Sequence, residues 1–513
     1  MEIKKLIFVP LILAVACRSD AVDPRPPPSD GAVALAEPND ETKASQSEAS
    51  QGDEGRWYNF IFKGQKVGYM HAREDSVTWE GAPAFHVTRA SVLEVKRRDS
   101  SIRMQSNIQA WVRPDGRPLR FTHRRVEGEL ERQLSGRARG DQFVIEIKVG
   151  KDVTRTSVPL DDQTILASAS EAVFFKQLAP GFKKTGRAIS ESEGDVSPFR
   201  IEVLDVIPGG GFIVEEETAG ILSRSRVDAS GIILETELPA LGARFTRTSR
   251  SEALAIGAKV DIFAAGLFSV PHPLPRNNDI EHLVVWLETR SGQEPIALED
   301  ERQQVERNGS RAKLMLRATE LPARTAAIPV EDPKVREYLE GTPFEKLDDP
   351  QLVKAAKKAI GDASEVGPAA RRLTELVHER LERKNLTQAF TSASEAWRQR
   401  EGDCTEHSVL FSALAKIVGI PTRLVTGLVY VGGVRNQFGY HEWVEVWTGA
   451  GWHPMDPTFG QANADPTHIK FAVGQSDPAS LREAGVVAAT LIGDLELSVV
   501  SYATKDGRQV MLQ

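Results

Sequence analysis

The sequence predicts an α+β protein in which β-rich modules precede a mixed helix-and-strand domain at the C-terminus. Three observations carry this. From Arg56 to about residue 330 short apolar runs alternate with polar residues and turn signals; after Asp332-Pro333 the apolar spacing becomes helical; beyond residue 420 three more strand-like runs follow. A chain of 513 residues is long enough for about three domains.

Residues 1–17 read as a targeting segment. Lys4 and Lys5 precede the apolar run Leu6 to Ala16, which is too short to span a bilayer and has the shape of a secretory signal, so export is expected. Leu13-Ala14-Val15-Ala16-Cys17 resembles a bacterial lipobox, whose cysteine is acylated and becomes the first mature residue. Ala14 stands where that pattern usually has leucine, with Leu13 one step further out. Cys17 is therefore the candidate lipidation site, with ordinary cleavage as the alternative. Each acyl methylene buried in the membrane would contribute about 0.8 kcal/mol to the tether. By resemblance to Gram-negative sorting, Arg18 after the cysteine favours the outer membrane. Residues 18–55 carry Pro26-Pro27-Pro28 followed by Ser, Glu, Asp and Gly without an aromatic, the composition of a disordered linker.

Residues 56–255 are expected to form a β-rich domain. "WYNFIFKGQKVGYM" is two strands about a Lys63-Gly64-Gln65 turn, "FVIEIKV" at 143–149 alternates with period two, and Asp115-Gly116, Gly140-Asp141 and Gly209-Gly210-Gly211 mark turns. Only 165–180 reads as helix there. A smaller β-rich unit is expected over 256–330, with strands at 282–289 and 312–318. In the next unit, 331–480, Pro350 and Pro368 each open a helix, the second with an apolar stripe of Ala369, Leu373, Leu376, Val377 and Leu381. Residues 481–513 close the chain as a β segment.

With Cys17 lipidated, Cys404 has no disulfide partner, although exported proteins mostly use cysteines in pairs. It follows Gly402-Asp403 and opens "CTEHSVLFSALAKIVG", whose buried stripe is Leu410, Leu414, Ile417 and Val418. Asp403 is the N-cap and Cys404 the first helical residue, where unpaired N–H groups and the helix dipole favour a thiolate and an oxyanion on an attacked carbonyl. A small buried cysteine capping an apolar helix is the competing reading. Downstream, "HEWVEVW" and "WHPMDPT" form a hairpin. A two-residue turn at Gly449-Ala450 pairs Trp447 with Trp452 and brings Trp443 opposite Asp456. His441 is then the diagonal neighbour of Asp456, so that a carboxylate orients an imidazole able to take the thiol proton.

"GDCTEHS", "HEWVEVW" and "WHPMDPT", in this order and spacing, resemble the core of the transglutaminase-like superfamily, a papain-like cysteine fold, over roughly 340–460. The resemblance implies helices packed on an antiparallel sheet and a catalytic set of nucleophile Cys404, base His441 and orienting Asp456. For a side-chain oxyanion donor the candidates are Trp397, Asn385 and Gln388.

His407, one turn after Cys404, is the weaker base candidate, because a rigid i, i+3 spacing leaves no pocket between the two side chains. Cys404, His407, His441 and Asp456 have zinc-ligand chemistry but resemble no zinc spacing, and no calcium loop is present, so no cofactor is expected. Trp443, Trp447 and Trp452 read as hairpin aromatics, and the glycine-bearing stretch 430–440 as a connector able to gate a cleft. A net charge of -8 without a basic face argues against nucleic acid. The expected activity is thiol-dependent acyl transfer on protein or peptide amides of the cell envelope, with hydrolysis favoured over transamidation. The alternative is a catalytically silent binding or assembly module.

Overall fold

Lys63 and Gly64 adopt positive φ angles of 47° and 79°, the pair that a two-residue hairpin turn needs to follow strand twist, and they begin a long antiparallel meander. In the computed structural model, which describes residues 55–512 except 98–99, 128–129, 150–151, 219–220, 256–259, 262–265, 383–390, 433–435, 478–479, 481–486 and 488–493, this meander runs through eight strands from Arg56–Phe62 to Asp152–Pro159. Arg56–Phe62 also pairs with Ala243–Thr248, the last strand of a second meander that begins at Lys183–Ile189. The expected signal segment, Cys17 and the expected linker up to residue 54 lie outside the described residues.

The alternation in 143–149 is a strand, Gln142–Val149, with Phe143, Ile145 and Ile147 buried. The helix expected over 165–180 is corrected. Thr164–Leu166 is a strand parallel to Lys183–Ile189, and a single helical turn, Ser170–Phe174, follows between two short 3-10 turns. Ala172, Val173, Phe174 and Phe175 are all buried in one core with Phe121 and Phe143 of the large sheet, so the run is apolar without a helical stripe. Glu171 on this turn meets Arg56 at 3.1 Å and Arg89 at 2.9 Å, and Glu74 bridges the same two guanidinium groups.

The segment 256–330 is spread over three sheets. Val260–Asp261 pairs with Ala82–Arg97 of the large sheet, and Leu267–Ser269 pairs with Gln437–Trp447. Ile280–Thr289 sits at the centre of a five-stranded sheet between Arg311–Arg317 and Leu495–Thr504. The C-terminal strands therefore complete this sheet and do not stand apart. Pairings across about two hundred residues leave no local periodicity to read.

Around the candidate site, Pro350–Ile360 begins with an Asp349 N-cap and a proline at its first position, as expected. The next helix, Val366–Arg380, starts two residues before Pro368, which still falls in the first turn, where its missing N–H costs nothing. Ala369, Leu373, Val377 and Leu381 of the expected stripe are fully buried and Leu376 partly so. A further helix, Ala393–Gln399, precedes the cysteine helix Cys404–Ile417. That helix is buried from Cys404 to Lys416, well beyond the predicted stripe, because helices and the sheet surround it. The sheet contains Thr422–Gly432, Gln437–Trp447, Ile469–Gly474 and the short Trp452–Met455. Among the described residues, no helix is long and apolar enough to cross a membrane.

Candidate active site

Asp403 caps the cysteine helix. Its side chain accepts from Thr405 N at 2.9 Å, and Glu406 reaches back to Asp403 N at 2.8 Å, closing a capping box. Glu406 also accepts from Thr391 N at 3.0 Å. These bonds set the first turn, and with it Cys404, in one position.

The hairpin opposite has the predicted two-residue turn. Thr448 N donates to Gly451 O at 3.0 Å, Trp447 faces Trp452 and Val444 faces Met455. One step beyond the last pair the chain leaves the strand at Asp456, whose Oδ1 accepts from Thr458 N (2.7 Å) and Phe459 N (3.1 Å). Its Oδ2 accepts from His441 Nε2 at 2.7 Å, with both side chains fully buried. Opposite His441 on the next strand is Gly427, where a Cβ would lie 1.8 Å from Ile469 O, so only glycine lets three strands approach here.

Burial by itself would lower the proton affinity of His441. The Asp456 charge and hydrogen bond, with a further hydrogen bond from the protonated ring to the Cys404 sulfur, outweigh it and push the imidazole up to about 10. With Nε2 engaged by Asp456, the other ring nitrogen, Nδ1, serves the thiol. Burial works against ionisation of Asp456 too, yet His441, and after it His468, hold the carboxyl far below the usual carboxylate range. The structure thus brings Cys404, His441 and Asp456 together.

A family model for the transglutaminase-like superfamily matches residues 353–457. This segment is a transglutaminase-like domain. No curated protein matches the chain. Among solved structures, a "putative cysteine protease" from Cytophaga hutchinsonii is 17% identical, covering 46% of this chain and 88% of its own, with a TM-score of 0.30. A β-barrel-like protein from Brucella abortus is 9% identical, covering 38% and 94%, with a TM-score of 0.29. Likenesses this low carry no structural argument; the family itself supports a cysteine-type enzyme.

Other residues of the transglutaminase-like domain fall differently. His407 donates from Nδ1 to the Asp403 carbonyl at 2.6 Å, inside its own helix. The indole of Trp397 lies 4.2 Å under the Arg380 guanidinium, while Asn385 and Gln388 lie outside the described residues. The stretch 430–440 is mostly strand, with 433–435 outside the described residues. Trp447 and Trp452 stack edge to face at 5.6 Å, as hairpin aromatics do; Trp443 stands edge-on at 5.0 Å to His468. Among the described residues, the titratable cluster of metal-ligand type is His441, Asp456 and His468, which differs from the zinc set weighed from the sequence. Its geometry is that of two N–H donors on one carboxylate oxygen.

Sequence reasoning missed His468, Phe459 and Glu442. His468 donates from Nε2 to Asp456 Oδ2 at 3.1 Å. Phe459 lies flat on the His441 ring, 4.8 Å between centres and 8° between planes. A repeated Asp-Pro-Thr, at 456–458 and 465–467, was the available signal, since each aspartate accepts from the threonine N–H and presents Phe459 or His468 next. Glu442, beside His441, is buried with neither carboxyl oxygen hydrogen-bonded among the described residues; burial first, then Asp403, pushes it up to about 8, so it is mostly neutral at pH 7.

Phe459 also lines a cavity of about 450 Å³, together with Arg276, Asn278, Tyr430 and Gln461. Cys404 is 1% exposed, so an approach to the sulfur has to open. Phe459 stacks on the His441 imidazole and is also one of the residues lining this cavity. Phe459→Ala is expected to raise the iodoacetamide alkylation rate of Cys404 several-fold at pH 7, measured by mass spectrometry on protein with an unchanged near-UV spectrum. An unchanged or slower rate would assign the entry to another route.

Proposed function

We propose that the protein is an exported, membrane-tethered thiol enzyme that breaks amide bonds of envelope proteins or peptides, with Cys404 as nucleophile, His441 as base and acid, and Asp456 as the orienting carboxylate. The observation that carries this is one imidazole bonded to Asp456 at 2.7 Å and to the Cys404 thiol, at the N-terminus of a helix. His441 takes the thiol proton, and the sulfur attacks the carbonyl carbon while helix N–H groups stabilise the oxyanion. The imidazolium then gives its proton to the nitrogen as the C–N bond breaks, leaving a thioester and a free amine. Water, deprotonated by His441, attacks the thioester, and the C–S bond breaks to return acid and thiol. An amine in place of water would give transamidation; hydrolysis is favoured because it needs no second binding site. The lipid on Cys17 would hold the enzyme at the membrane, with residues 18–55 as a stalk.

The competing reading, a silent binding or assembly module, draws on the closure of the site, since Cys404 and His441 are each 1% exposed. Iodoacetamide or a vinyl sulfone at neutral pH separates the two. Enzyme chemistry requires Cys404 to react faster than a free thiol and to lose that advantage in His441→Ala. Equal rates in both proteins sink the proposal.

A further inference from the structure

Asp456 is gripped from both sides. Oδ1 takes two backbone N–H groups, and Oδ2 takes Nε2 of His441 at 2.7 Å and Nε2 of His468 at 3.1 Å. All four acceptor positions of the carboxylate are filled, leaving it neither room to rotate nor a free lone pair for a proton.

His468 itself faces oxygen on both sides. Its Nδ1 lies 3.1 Å from the Asp465 carbonyl and 3.5 Å from Asp465 Oδ1. Oxygen acceptors at both nitrogens require a proton on each, which is the imidazolium. Asp465 is fixed by Thr467 N at 2.8 Å, Thr467 Oγ1 at 2.5 Å and Gln461 Nε2 at 2.9 Å. The ring is fully buried, walled edge-on by Trp443.

We propose that His468 is a positioning residue: an imidazolium held between Asp456 and Asp465, it locks the Asp456 carboxylate toward His441 and makes the His441 imidazolium a readier proton donor. This rests on the thiol-enzyme reading above. A carboxylate serving one imidazole holds that imidazole's proton tightly, and a second cation on the same oxygen weakens the grip and repels the first. The rings of His441 and His468 are 5.7 Å apart, near enough for this repulsion to count. Other charged or titratable groups here are Arg302, which donates to the His468 carbonyl and lies near Asp300, Glu445 and Asp465, Lys470, which pairs with Asp300 and Glu445, and Glu442 beside His441. Burial works against the His468 cation, but the Asp465 charge and the bond to Asp456 outweigh it and raise its proton affinity.

The test is His468→Gln, which keeps an N–H donor but no charge, with iodoacetamide alkylation of Cys404 followed from pH 4 to 11. The window of reactive thiolate is expected to move to higher pH by about one unit, because the lost cation had stabilised both the thiolate and the release of the His441 proton. Asp465→Asn should move it the same way by less. A window that stays in place in a folded His468→Gln protein overturns the proposal, since a merely structural residue would lower the folded fraction without moving the profile. Should the variant fail to fold, ¹⁵N-histidine spectra of the unmodified protein decide. At pH 7.5 both ring nitrogens of His468, identified as the one of the two rings against Trp443 whose signals persist in His441→Ala, should be protonated; a neutral tautomer overturns the proposal. A native Cys404 no more reactive than a free thiol would instead defeat the enzyme reading, with the spectra still reporting on His468.

Discussion

Asp456→Asn is expected to cut turnover by about 10³- to 10⁴-fold, roughly 4–5.5 kcal/mol of transition-state stabilisation, while the hairpin stays folded. The amide has one oxygen where the carboxylate has two. If it keeps the Thr458 and Phe459 N–H groups, its NH₂ group faces His441 Nε2, which then has to act as acceptor. The ring proton moves to Nδ1, the nitrogen facing the thiol, and the base is lost. The same substitution changes stability with pH in a defined direction. His441 gains proton affinity on folding, from 6.5 to about 10, so its contribution is complete below pH 6.5 and lost as pH rises toward 10. Asp456 loses proton affinity on folding, so its contribution is complete above about 3.8 and lost as pH falls. The two are partners in one ion pair, and the stability gap between native protein and variant should be widest between about pH 4 and 6.5. Thermal melts across pH 3 to 10 check this, and a gap widening toward pH 10 would contradict the ion-pair assignment.

The arrangement of the site was legible where it depends on short-range geometry. A two-residue turn fixes the register of a hairpin, so Gly449-Ala450 was enough to bring His441 to Asp456. The Asp403 cap was legible for the same reason. His468 was not, because the loop that returns it to Asp456 has no periodicity, and the pairing of Leu267–Ser269 with the histidine strand spans about 170 residues. Burial decided two places where the sequence reading fell short. The cysteine helix was read as one apolar stripe but is buried from Cys404 to Lys416, and the short turn at Ser170–Phe174 was read as a longer helix; in both, enclosure is decided by distant parts of the chain. The side-chain oxyanion donor stays outside both readings, with Trp397 packed under Arg380.

Lys416→Met is expected to destabilise the transglutaminase-like domain by about 3–5 kcal/mol, the usual cost of leaving one member of a buried ion pair alone. Lys416 Nζ lies 2.7 and 3.0 Å from the two Glu345 oxygens, and both side chains are fully buried. The ammonium also donates to Glu340 O at 3.1 Å and Gln475 Oε1 at 3.2 Å, while Ser412 donates to Glu345 Oε1 at 2.6 Å. Water cannot replace the lost charge without opening the core, so Glu345 would have to take up a proton or pull the segment apart. At roughly 2–4 °C per kcal/mol for a domain of this size, the melting temperature should fall by about 6–20 °C. The double variant Lys416→Met, Glu345→Leu removes both charges and should recover most of the loss. Position in the fold links this pair to the chemistry. Ser412 and Lys416 lie in the last two turns of the helix that begins with Cys404, so Glu345 holds one end of a rigid rod whose other end must meet His441. If that hold sets the thiol's position, the single variant, measured well below its melting point, should alkylate more slowly and the double variant should recover only part of the rate. Full recovery of rate with stability would mean that apolar packing alone aligns the helix.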